Sequence, residues 1–155
     1  SDVNRQLTRD VEGSGQFMTL FYLALDSATR RLRWIRAGHD PAILYHPAND
    51  TFEELKGEGL VLGIDEDWVF EENERVGLET VQILFLGTDG IWEAQNRRGI
   101  RMGKGPIYQV LREHGHESAR TILQSVFKTI GTFQEGVRQE DDITAVVVKI
   151  EPVVA

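Results

Sequence analysis

Cysteine is absent from this 155-residue chain. That absence excludes disulfides, thiolate metal sites and cysteine nucleophiles, and it fits a reducing cytoplasm, the compartment expected here. No apolar run approaches the roughly 20 residues that cross a bilayer, and no signal-peptide pattern opens the sequence, so no membrane partner is expected. Positive charge is also scarce: 17 Lys and Arg stand against 25 Asp and Glu, for a formal net charge of -8. No nucleic-acid partner is expected either, because neutralising phosphates requires a basic face. An apolar content of 41% and a charged content of 27% are those of an ordinary globular chain, long enough for one domain with a sizeable core. The first residue is Ser1 rather than Met, which leads us to expect a piece of a longer protein.

What is present is organised around two acidic motifs. Ile83-Leu84-Phe85-Leu86-Gly87-Thr88-Asp89-Gly90 reads as a buried strand that delivers one carboxylate to its end, with Gly90 allowing a turn that a side chain would hinder. Asp141-Asp142 immediately precedes a second apolar run, Ile143 to Ile150. Either motif alone is an ordinary turn or loop carboxylate. Together, two acidic groups on the rims of rigid strands suit a divalent cation that prefers oxygen ligands.

The rest of the chain supplies the frame. Val3 and Leu7 are spaced by four, as in the tail of a helix over residues 1–10. Phe17 to Leu25 reads as a strand. Asp26 to Arg30 makes a turn, and Leu32, Trp34 and Ile35 return as a hairpin partner. Ala37 to Pro41 breaks that strand and Ala42 to Tyr45 resumes it. Pro47 to Asp50 turns again, Leu60 to Ile64 is a short apolar segment, and the charged stretch Val69 to Val76 suits an edge strand. Val81 to Leu86 forms the buried strand. The period then changes. Pro106 suits a first helical turn before Ile107, Val110 and Leu111, and Ser118 to Ile130 is an amphipathic helix. Gly131 to Glu140 is a polar loop. The last strand, Ile143 to Ile150, reads as buried on both faces. Many strands, then two helices, then a strand argue for the α+β class with an antiparallel sheet.

Four segments carry a family resemblance. They are Gln16-Phe17-Met18-Thr19-Leu20 with its strand to Asp26, Ala37-Gly38-His39-Asp40-Pro41, Thr88-Asp89-Gly90-Ile91-Trp92-Glu93, and Asp141-Asp142-Ile143-Thr144. In order and spacing the chain resembles the metal-dependent serine/threonine phosphatase (PPM) family, in its bacterial SpoIIE branch, over essentially all 155 residues. The resemblance implies an antiparallel β-sandwich flanked by helices, the α-β-β-α phosphatase fold. Gly77-Leu78-Glu79 departs from the branch's usual Gly-Asp and reads as a turn. The larger departure is that the family's first metal motifs belong before residues 1–10. Residues 1–155 are therefore expected to be a single partial domain, the C-terminal two-thirds, without its N-terminal strands. Asp10 and Glu12 have no strand leading into them and do not replace the missing carboxylates.

The resemblance further implies a binuclear Mn²⁺ or Mg²⁺ centre in the complete domain. Asp89 and Asp141 would be ligands and Asp142 a neighbour that orients, although the adjacent pair leaves this assignment open by one residue. His39 is a candidate for proton transfer, set against the plainer role of a turn histidine bonded to backbone. His114 and His116 read as a solvated helix end, Arg97, Arg98 and Arg101 as a basic surface loop, and Gly103-Lys104-Gly105 lacks the spacing of a phosphate-binding loop. Two functions follow. One is a phosphatase acting on phosphoserine or phosphothreonine of a regulatory protein, in this branch commonly an anti-sigma-factor antagonist. The other is a catalytically inactive phosphatase-like interaction module. Missing strands would leave an edge and an apolar face bare, so self-association as a two-fold homodimer is expected.

Overall fold

The computed structural model describes residues 2–152. Along them run α1 (Asp2–Asp10), β1 (Leu20–Asp26), β2 (Arg31–Ala37), β3 (Ala42–His46), β4 (Thr51–Leu55), β5 (Asn73–Arg75), β6 (Ile83–Gly87), α2 (Gly105–His114), α3 (Ala119–Gln134) and β7 (Ala145–Lys149). They divide into two compact units. One holds residues up to 41 together with 56–78, and the other holds 42–55 together with the chain from 79 onward.

The first unit is built on a hairpin. Its turn is set by Asp26, whose carboxylate accepts the backbone N–H groups of Ala28 and Thr29 at 2.9 and 3.1 Å. The Thr29 bond, foremost, holds that carboxyl below its usual range. β1 and β2 then pair antiparallel from Leu20↔Ala37 to Asp26↔Arg31, and β5 adds to the far side of β2. The sheet order β1-β2-β5 makes β5 an edge strand, as the charged stretch 69–76 foretold, but only Asn73–Arg75 pairs. β1 starts at Leu20 rather than Phe17, and Met18 makes only an isolated bridge to Leu62. Residues 2–10 are helical as expected. The buried Asn4 ties α1 down by donating to the Asp65 carbonyl at 2.7 Å and accepting from Gly63 N–H at 3.1 Å.

The second unit carries the candidate site. The break at Ala37–Pro41 does not interrupt one strand, as the sequence suggested. It passes the chain into another sheet, with order β4-β3-β6-β7, all antiparallel. β4 escaped the sequence reading because Thr-Phe-Glu-Glu-Leu alternates poorly. Its Glu54 is matched by Lys104 Nζ at 2.6 Å, and its Phe52 stacks between Tyr45 and Tyr108 with ring centroids 4.5 and 4.4 Å away. Ile43, Tyr45, Ile83 and Phe85 alternate onto one sheet face, which α2 and α3 cover with Ile107, Leu111, Ile122, Val126 and Ile130. Ser118 caps α3 by accepting Thr121 N–H at 3.1 Å, the expected helix start. The helix runs past Ile130 to Gln134, so the polar loop begins about a turn later than the sequence implied. The glycine at 131 was the misleading signal, since an isolated helical glycine costs only about 1 kcal/mol.

β7 also differs from expectation. It is an edge strand, and Val146 is 47% exposed. Only one face of β7 joins the core, through Ala145 and Val147. The run of valines overstated burial because β-branched residues favour strands whether or not both faces are covered. β6 likewise begins at Ile83, not Val81. Val81 is exposed and adopts φ 67°, the left-handed region, which is a genuine outlier for a β-branched side chain. Its N–H still donates to the Ile150 carbonyl at 2.8 Å, so the ladder holds the residue there. Replacing Val81 by Gly is expected to raise stability by up to about 1 kcal/mol, the relief of strain exceeding the entropy of glycine. Chemical denaturation of the two proteins checks this, and equal or lower stability for the Gly variant would show that the backbone is not strained.

Candidate functional site

Antiparallel pairing of β6 with β7 decides where the acidic motifs lie. The register runs from Ile83↔Lys149 to Gly87↔Ala145. The C-terminal end of β6 therefore meets the N-terminal end of β7. One further rung, Thr88 N–H to the Thr144 carbonyl at 3.1 Å, extends the ladder into the motifs. The Thr88 hydroxyl completes a clasp by donating to the Asp142 carbonyl at 3.1 Å and accepting Thr144 N–H at 3.0 Å. A single side chain thus fastens the segment before Asp89 to the segment that contains Asp141 and Asp142. Thr88 stands in the Thr-Asp-Gly motif with no role that the sequence alone assigns. A hydroxyl that donates and accepts at once is the property that should have drawn attention.

Gly90 is present for a reason other than turn conformation. It is not among the glycines with positive φ. It is buried, and a Cβ built on it would stand 2.5 Å from the Asp142 carbonyl oxygen and 3.5 Å from that of Asp141. The constraint is close approach of two backbones. After Gly90 the chain tightens: Ile91 N–H donates to the Thr88 carbonyl at 3.1 Å and Glu93 N–H to the Asp89 carbonyl at 2.9 Å, which sends Ile91 and Trp92 into the core. The core thereby anchors the strand end that presents Asp89.

Asp89, Asp141 and Asp142 are all exposed. One oxygen of Asp89 accepts the following N–H, of Gly90, at 3.0 Å, and one oxygen of Asp141 accepts that of Asp142 at 2.7 Å. These local bonds fix each carboxylate to its own backbone turn. The donors are hard oxygens, the type that Mg²⁺ and Mn²⁺ take. Among the described residues, however, no three His, Asp or Glu side chains gather closely enough to hold an ion by themselves. The donors thus fit a hydrated ion, which takes one or two carboxylates and keeps its waters, better than a closed cage.

The remaining candidates are placed as follows. His39 lies in the first unit, where Nδ1 is 2.9 Å from the Asp40 carbonyl and the ring meets Phe21 edge-on at 6.3 Å between centroids. Its own carbonyl accepts the Arg36 side chain. That matches the turn histidine bonded to backbone. His114 sits at the end of α2 against Glu117 at 2.9 Å. Of the basic cluster, Arg101 pairs with Glu93 at 2.7 Å and Arg97 donates to the Glu135 carbonyl at 2.9 Å. A cleft of about 100 Å³ opens beside Asp141, between the segment after β6 and the loop joining α3 to β7. Its walls come from Glu93 and Arg101 on one side and Arg138 and Glu140 on the other, segments whose meeting the sequence does not reveal.

Comparison with known proteins agrees with this architecture. The family model described as Stage II sporulation protein E (SpoIIE) matches residues 1–151. The phosphoserine phosphatase RsbU of Bacillus subtilis is 26% identical over 148 residues, which are 96% of this chain and 43% of that protein. The chain thus spans less than half the length of this curated relative. Among solved structures, the SiaA-PP2C domain of Pseudomonas aeruginosa superposes with a TM-score of 0.78 at 21% identity, covering 94% of this chain and 57% of that one. The phosphatase domain of the cell fate determinant SpoIIE from Bacillus subtilis gives 0.68 at 15% identity, covering 99% and 74%. These likenesses establish the PP2C-type fold, with its antiparallel sheets and helices.

Gly90→Ala tests the clasp. The added methyl forces the Asp142 carbonyl away, at a cost of about 1–3 kcal/mol as for other overpacked sites. Amide chemical shifts of Asp142 to Ala145 should move while those of α2 stay in place. Unchanged shifts and an unchanged melting temperature would show that the two backbones do not abut.

Proposed function

This chain belongs to the SpoIIE family, and from that premise we propose that it is a metal-dependent protein phosphatase domain acting on phosphoserine or phosphothreonine of a regulatory protein. One observation carries the reading. The β6–β7 ladder and the Thr88 clasp hold the Thr88-Asp89-Gly90 motif against Asp141-Asp142, joining hard-oxygen donors from two strand ends. Asp89 and Asp141 are the proposed ligands of Mn²⁺ or Mg²⁺, and Asp142 orients its neighbour through the backbone bond to Asp141. When bound, a pair of such ions supplies a water of lowered pKa and neutralises charge on the phosphoryl group. The protein's own part is positioning: the carboxylates are fixed by local bonds and by a core-anchored turn before any ion arrives. His39 is a secondary candidate for proton transfer. The substrate proposed is an anti-sigma-factor antagonist, in line with the family and with the phosphoserine phosphatase RsbU as a relative.

A complete two-ion centre needs more donors than Asp89, Asp141 and Asp142. We accordingly propose that the 155-residue chain by itself turns over little substrate. The second reading, a catalytically inactive interaction module, is favoured by the same sparse donor set among the described residues. Turnover of a chromogenic phosphate ester with Mn²⁺ separates the possibilities. The 155-residue chain should be nearly silent, and strong chelator-sensitive activity from it would overturn the proposal of incompleteness. In the full-length protein, Asp89→Asn and Asp141→Asn should each cut activity by about a hundredfold or more without unfolding, since even outer-shell changes at metal sites cost about 10–100-fold. His39→Ala should do less. Near-normal activity for Asp89→Asn would remove it from the metal site.

Self-association belongs to the same proposal. β1 forms one edge of its sheet, and Phe17, Leu20 and Tyr22 on or beside it are 60%, 38% and 52% exposed. An apolar edge strand is a template for another chain, so the chain should form a two-fold dimer. Sedimentation over a range of concentrations checks this. A monomer persisting at high concentration would show that the exposed edge is tolerated.

A further inference from the structure

We propose that Arg138 is a phosphate-binding residue of this site, receiving the phosphoryl group of a phosphorylated protein side chain in the cleft beside Asp141. The proposal rests on the phosphatase reading and extends it to how the substrate is held. The cleft is lined by Glu93, Arg101, Arg138, Glu140 and Asp141, together with Gly90. Its acidic groups would repel a phosphomonoester, which carries roughly -1.5 to -2 charge near neutral pH. A cation must offset them. Arg101 is already engaged, its Nη1 2.7 Å from Glu93 Oε1. Two cations outside the cleft are engaged too: Arg97 with the Glu135 carbonyl at 2.9 Å, and Lys104 with Glu54 at 2.6 Å and the Trp92 ring at 5.2 Å. Arg138 makes no hydrogen bond or ion pair among the described residues. Its fork of donors is the one uncommitted guanidinium in the wall, and a planar guanidinium matches a phosphoryl group two bonds at a time.

The loop that carries Arg138 is tethered on both sides. Gln139 Nε2 donates to the Asp141 carbonyl at 2.7 Å, and Arg97 fixes the Glu135 carbonyl at its start. A guanidinium on such a loop is held near its position before substrate arrives, which lowers the cost of ordering it. Size points to the substrate class. At about 100 Å³ the cleft lies well below the roughly 300–1,000 Å³ of sites that enclose a whole small molecule. It suits one phosphoryl group at the end of a side chain whose polypeptide stays outside.

The test uses the full-length protein with Mn²⁺ and inorganic phosphate as probe, its binding read by calorimetry. Arg138→Ala should weaken phosphate binding about tenfold, as expected for loss of a charge-assisted bond at an exposed site, and raise KM for a phosphoserine peptide in step. Arg138→Lys should recover part of both, because charge returns without the fork. Melting temperatures should match the parent in each case. Phosphate binding by Arg138→Ala equal to the parent's, or no phosphate binding by the parent, overturns the proposal. Asp89→Asn, assayed for turnover alongside, reports on the phosphatase reading separately. Full activity in that variant defeats the metal assignment whatever Arg138 does, whereas loss of activity there with unchanged phosphate binding in Arg138→Ala defeats only the role of Arg138.

Discussion

The antiparallel ladder between β6 and β7 is the interaction on which the candidate site depends. Neither acidic motif is special by itself, for a carboxylate after a strand and a carboxylate before one are common turn chemistry. Pairing the strands antiparallel in this register brings the end of one beside the beginning of the other. The rung through Thr88 and the two bonds of its hydroxyl then carry the pairing a step beyond the regular sheet. Gly90 lets the two backbones close, because no side chain fits against the Asp142 carbonyl. The core contributes from behind by holding Ile91 and Trp92. Backbone geometry, and not attraction between side chains, brings the two acidic motifs side by side.

Much of this was legible in the residues. Apolar runs ending in Asp89 and beginning after Asp142 announced the strands. The 3.6-residue stripe of Ile122, Val126 and Ile130 announced a helix beginning near Ser118. The antiparallel α+β class followed from the order of elements. The errors share a physical cause, which is that a linear pattern reports a residue's preference and not its neighbours. Thr51 to Leu55 went unassigned because its residues alternate poorly, and Lys104, far along the chain, is not visible from the sequence as the partner of Glu54. Val146 looked buried because the sequence does not say which strand lies at an edge. Val81 looked like strand because nothing local signals a left-handed backbone at a valine; its bond to the Ile150 carbonyl holds it there.

The cleft beside Asp141 was beyond sequence reading for the same reason. Its walls join residues just after β6 to the loop before β7, and each of its charged members alone is an exposed polar residue. Arg138 stood three positions before Asp141 in plain view. Its interest arises only once Arg101 is seen to be neutralised by Glu93 and Arg138 is seen to share a wall with the acids.

The Thr88 clasp also has a consequence in time. It bonds residues 54 and 56 positions apart, and ordering a segment of that length precedes any reward from the contact. The strand that completes the acidic pair is the last regular element among the described residues. During synthesis, when a chain grows at about 5–20 residues per second, β6 must wait several seconds with one side unpaired until residues 141–149 leave the ribosome. A growing chain can thus hold Asp89 without yet holding a site. Any property that depends on both motifs waits until the sheet has closed.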